Sequence, residues 1–75
     1  MIVSLDRLEP GQTARVVELR STDAARLERL SAYGLAPGSH LRLEQLRPAV
    51  IIRVDETEIS VDREIAREIL VQAMG

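Results

Sequence analysis

The 75-residue chain predicts an all-β domain: a small five-stranded barrel carrying one short helix and one helical turn. Three observations lead there. Short runs of apolar residues alternate with polar ones, the period-2 mark of strands that bury one face. Two Pro-Gly pairs, Pro10-Gly11 and Pro37-Gly38, read as turns, because Pro presets φ and Gly supplies positive φ. Only one stretch, Asp23 to Tyr33, follows a helical period.

The elements follow in order. After Pro10-Gly11 comes Thr13 to Leu19, with a β-branched pair at Val16-Val17, a first strand. Ser21-Thr22-Asp23 is a helix start: Ser or Thr can cap the free N–H groups, and Asp23 suits the positive end of the helix. Ala24, Leu27 and Leu30 then fall on one face. Gly34 stands where a left-handed residue best stops a helix, and Pro37 follows shortly after. Leu41 and Leu43 alternate with Arg42 and Glu44 as the second strand. Pro48 belongs to a loop or a strand edge. Val50, Ile52 and Val54 are the buried set of the third strand, and Thr57, Ile59 and Val61 that of the fourth. Asp55-Glu56 joins those two as a hairpin, although a pair without Gly is atypical of the tightest loops. Asp62 can cap a helical turn over Arg63 to Glu68, Ile69-Leu70-Val71 is a last short strand, and Gln72 to Gly75 is expected to fray.

One device is used twice. Leu8-Glu9-Pro10-Gly11 with Arg15-Val16 is echoed, at a constant offset, by Leu35-Ala36-Pro37-Gly38 with Arg42-Leu43. Each copy offers a Leu to bury, a turn, and a strand leaving it. Closely spaced strands of this kind suit a barrel of the Src-homology-3-like type, where closure removes exposed edges.

Composition bounds the function. The length fits a single domain, residues 1–75, with an ordered core at about 3–72. A core this small leaves little room for a deep pocket. The formal net charge of −2 argues against a nucleic-acid partner, which would need a basic patch, and the near absence of aromatic rings argues against base stacking. No cysteine is present, which excludes a disulfide framework, a cysteine zinc site and a thiol nucleophile. The first residues lack the basic start and long apolar run of a signal peptide, and no apolar run reaches the ~20 residues of a membrane span. A cytoplasmic protein is expected.

The search for chemistry returns little. No Ser lies in a nucleophile elbow and no Gly-rich loop could cradle phosphate, so the chain is not expected to be an enzyme. His40, the only histidine, is the one candidate metal ligand, and it lacks the second His or Cys that transition-metal sites want. No cofactor is expected, and direct iron binding would be weak at most. The acidic stretch of Asp55, Glu56, Glu58, Asp62 and Glu64 lacks the central Gly of a calcium loop and reads as a solvated face. Arg15 and Arg42 read as the polar positions of alternating strands. Tyr33, the only aromatic residue, has the apolar body and polar tip of a contact residue, or it simply covers the barrel end.

The stretch Leu27-Glu28-Arg29-Leu30-Ser31-Ala32-Tyr33-Gly34-Leu35-Ala36-Pro37-Gly38 resembles the signature of the ferrous iron transport protein A (FeoA) family: a leucine-bearing helix, then Gly-Leu, any residue, and Pro-Gly. Leu5 to Leu19 is similar to that family's first strand. Ile59 to Val71 resembles its last strands and the short alanine-bearing helix between them. Two places depart from the pattern. Arg47-Pro48 leads almost directly into Val50 where the family often has a longer loop, and Asp55-Glu56-Thr57 stands where it often has Gly.

The resemblance implies a Src-homology-3-like barrel in the bacterial cytoplasm, without established catalytic residues. It would assist FeoB, the ferrous iron permease with a cytosolic GTP-binding domain, and reach the inner face of the membrane only through it. Leu27, Leu30, Tyr33 and Leu35 are the candidate partner-binding residues, edging a groove beside the helix. A homodimer through an exposed strand or the Tyr33 edge is compatible with so small a domain. The alternative from the same resemblance is the C-terminal domain of a metal-dependent transcriptional regulator of the diphtheria-toxin-repressor (DtxR) type, or a partner of one.

Overall fold

Alternation decides which side of each strand faces inward. In the computed structural model, which describes residues 1–74, the strands are β1 (Ile2–Ser4), β2 (Thr13–Leu19), β3 (His40–Gln45), β4 (Val50–Val54), β5 (Thr57–Val61) and β6 (Ile69–Met74). Helix α1 (Ala24–Ala32) joins β2 to β3, α2 (Arg63–Glu68) joins β5 to β6, and a single 3-10 turn, Leu5–Arg7, follows β1. All neighbouring strands are antiparallel, in the order β1-β6-β2-β3-β4-β5. Ala14 and Val16 of β2, Leu41 and Leu43 of β3, Val50, Ile52 and Val54 of β4, Ile59 and Val61 of β5, and Ile69 and Val71 of β6 are buried in one cluster. One sheet can bring all those faces together only by curling around them, which is the expected barrel.

The structure adds to the expected set of five strands. Residues 2–4 pair with β6 from Ile2↔Gln72 to Ser4↔Leu70 as a sixth strand. The last strand is also longer than Ile69-Leu70-Val71: Gln72 to Met74, expected to fray, extend the ladder with β2 to Thr13↔Met74. The barrel is not closed by hydrogen bonds. Among the described residues no ladder joins β1 to β5, so both keep a free edge.

The repeated device is reciprocal in three dimensions. Gln12 N–H donates to Glu9 O at 3.0 Å and Ser39 N–H to Ala36 O at 2.9 Å, closing two Pro-Gly turns. Gly11 and Gly38 sit at φ 95° and 96°, the left-handed conformation Gly adopts without steric cost. Gly11 N–H donates to Leu43 O at 2.7 Å, and Gly38 N–H to Val16 O at 2.8 Å. In return Leu43 N–H donates to Gln12 O at 3.0 Å and Val16 N–H to Ser39 O at 2.7 Å. Each turn therefore docks on the strand that the other turn launches. A local two-fold relates them, centred on the Ala14↔Leu41 pair, and Leu8 and Leu35 are the two buried anchors.

Helix α1 is started by Asp23 rather than by Ser21 or Thr22. Asp23 Oδ1 accepts from Ala25 N at 3.0 Å and Arg26 N at 3.2 Å, while Ser21 Oγ accepts from Asp23 N at 3.2 Å. Ala24, expected on the apolar face, is exposed. The helix ends as expected at Gly34: its N–H donates to Ser31 O, and Leu35 N–H donates to Leu30 O, both at 2.9 Å. This pair of bonds is the Schellman stop, and the apolar contact that usually accompanies it fits buried Leu30 and Leu35. At α2, Asp62 occupies the cap position, but its side chain makes no capping bond.

The hairpin between β4 and β5 has a two-residue loop, with Val54↔Thr57 as the closing pair. Asp55 takes the positive φ, 56°, which Asp tolerates better than most side chains.

Candidate functional site

A groove opens where α1 passes the free edge of β5. Its helix wall is Arg26, Arg29, Leu30 and Tyr33, and its strand wall is Ile59, Ser60 and Val61. Asp62 and Ile65 close the end nearest α2, and the space amounts to about 170 Å³. That holds one or two side chains, not a small-molecule substrate, whose pockets run to roughly 300 Å³ and more. The floor is apolar, from Leu30, Ile59 and Val61, all buried. The rim is polar.

The position of α1 fixes the groove. Arg26 Nη1 donates to Glu68 Oε1 at 2.8 Å, an ion pair with both side chains about one-third exposed, which ties the first turn of α1 to the end of α2. Glu68 O also accepts from Arg20 N at 2.8 Å. With Arg26 neutralised by Glu68, Arg29 and Asp62 are the groove's remaining charges. Tyr33, at the helix end, is 51% exposed.

A second, shallower depression of about 340 Å³ lies on the outside of the sheet, bordered by Thr13, His40, Arg42, Arg53, Asp55 and Met74. Arg53 there is held by Glu58 at 2.8 Å and Glu44 at 3.4 Å, and Arg42 lies 3.6 Å from Glu44. Arg15 donates to Gln72 Oε1 at 3.2 Å. Arginines engaged in this way do not form a free phosphate stripe. His40 is exposed opposite Arg15, and among the described residues no group of three or more His, Asp or Glu could hold a metal ion. No helix there is long and apolar enough to cross a membrane.

Residues 3–73 match the family model of the FeoA domain. The chain belongs to the FeoA domain family. It is similar to a crystal structure of an iron uptake regulatory protein (FeoA), at 26% identity and TM-score 0.87 over 99% of each chain. It is similar to the T. acidophilum IdeR structure, at 29% identity and TM-score 0.90, covering 97% of this chain but 34% of that one. It also resembles iron(II) transport protein A from Clostridium thermocellum, at 25% identity and TM-score 0.85, covering 96% of this chain and 46% of that one. No curated protein matches it. The same fold thus serves both as a small iron-uptake protein and as one part of a longer regulator.

Within this FeoA domain the four candidate residues separate. Leu30 and Tyr33 line the groove. Leu27 is half-buried outside it, and Leu35 is fully buried beneath the helix stop. Sequence reasoning missed the opposite wall. Ile59 and Val61 were expected to be buried, but nothing in their spacing tells which strand faces α1.

Proposed function

We propose that this FeoA domain is a non-catalytic contact module of bacterial ferrous iron uptake. It works in the cytoplasm and engages the cytosolic GTP-binding side of a FeoB-type permease, which draws it to the inner membrane face. The observation that carries this reading is the match to an iron-uptake FeoA protein over 99% of both chains. The geometry supports contact rather than turnover: a narrow groove with an apolar floor and a rim aromatic, and no set of acid, base and nucleophile around it. Leu30 provides floor, Tyr33 and the exposed part of Leu27 provide contact area, and Leu35 holds the helix end from below.

The test is a calorimetric titration into the permease's cytosolic domain, with and without guanine nucleotide. A saturable one-to-one signal is expected, and Tyr33→Ala should weaken it by about 1–2 kcal/mol, the usual cost of truncating a central aromatic. No heat in any nucleotide state, repeated with full permease in detergent, would end the reading. The likeness to IdeR favours one second reading, a domain of or partner to a metal-dependent regulator; it predicts binding to such a regulator instead.

A further inference from the structure

The groove lies along an unsatisfied strand edge. A two-residue loop makes Val54↔Thr57 a hydrogen-bonded pair, and such pairs alternate along an antiparallel ladder. The N–H and C=O groups of residues 57, 59 and 61 therefore turn toward β4, and those of Glu58 and Ser60 turn away from it. Both residues are exposed, and among the described residues no backbone bond outside the β4 ladder reaches β5. Two donors and two acceptors thus line the groove at strand spacing, beside the apolar floor of Leu30, Ile59 and Val61.

We propose that the free edge of β5 receives an extended segment of a partner protein as an additional antiparallel strand. The segment alternates apolar side chains, which enter the groove, with basic ones on its outer face. This rests on the contact-module reading and specifies how contact is made. Main-chain bonds to Glu58 and Ser60 supply affinity, and the alternate pockets supply selectivity.

Charge chooses the occupant. The outward row of the edge is Glu56, Glu58, Ser60 and Asp62. Arg53 neutralises only Glu58, and no cation lies within salt-bridge distance of Glu56 or Asp62 among the described residues. A second copy fits badly. Antiparallel self-pairing that matches the outward groups sets Glu58 against Glu58, Glu56 against Asp62, or Glu58 against Asp62. Like charges directly opposite destabilise a ladder, and opposite charges support it. The outer side chains of the segment are therefore Lys or Arg. Arg29, on the helix wall, is exposed and keeps its charge in water.

The experiment uses the whole chain and synthetic eight-residue peptides alternating Val with Lys, or Val with Glu, followed by amide chemical shifts and calorimetry. The Val-Lys peptide should bind, with the largest shifts at Glu58 and Ser60, at least tenfold more tightly than Val-Glu. Ser60→Pro removes an outward donor without removing a β4 ladder bond, a position where sheets tolerate Pro. It should weaken binding at least tenfold, and Ser60→Ala less than twofold. Should Ser60→Pro unfold, N-methylation of the peptide amides on one face or the other replaces it; only the face paired with the edge should matter. No binding of Val-Lys peptide, equal binding of both peptides, indifference to backbone blocking, or a self-dimer that Ser60→Pro dissolves would overturn the proposal. These outcomes are independent of the permease titration, which tests the identity of the partner.

Discussion

Leu35 and Tyr33 stand two residues apart on either side of Gly34, and their fates are opposite. Tyr33 is the last residue before the left-handed step at Gly34 and stays on the surface. Leu35 is the first residue after it, and the Schellman bonds fold it back under the helix. Truncating Leu35 removes a fully buried side chain, which costs about 2–5 kcal/mol. A domain of this length has roughly 0.05–0.15 kcal/mol per residue to lose, so Leu35→Ala should be largely unfolded at 37 °C. Tyr33→Ala should change the urea midpoint little while weakening partner binding. If both variants lose stability alike, Tyr33 is structural and the contact reading loses its aromatic anchor.

At the scale of elements, the two helices are held differently although both begin with Asp. Asp23 accepts two backbone N–H bonds, whereas Asp62 makes none. Asp23→Ala should cost about 1 kcal/mol, the typical price of a lost cap, and Asp62→Ala should be close to neutral in the same chemical melts. The sequence carries both residues in similar settings, and only the backbone entry angle distinguishes them. Elements stopped or turned by local chemistry were legible: Gly34, both Pro-Gly turns, and the buried sets of β3, β4 and β5. Strand β1 was not, because three residues are too few to show alternation and its partner β6 lies at the far end of the chain. The groove was half legible for the same reason. Leu30 and Tyr33 announce a helix face, but the strand facing them is chosen by the fold.

For the whole molecule, the reciprocal turns make a quantitative statement about symmetry. A Cβ added at Gly11 or Gly38 meets nothing within 4 Å, so only backbone strain opposes the substitution. The two φ values agree to a degree and the docking bonds correspond one to one. Gly11→Ala and Gly38→Ala should therefore each cost about 1–2 kcal/mol and match one another within a few tenths in denaturant melts. A clear inequality would mean that the local two-fold describes bond geometry but not energy.

The strand order also has a consequence for how the domain is made. The last strand, β6, lies between β1 and β2, so the earliest-synthesised strands have no ladder with each other and wait for the end of the chain. On the ribosome, residues 2–19 emerge with their principal pairing partner still unmade. Native structure can be completed only once residues 69–74 have cleared the exit tunnel, which makes folding here a post-synthetic, all-at-once event rather than a progressive one.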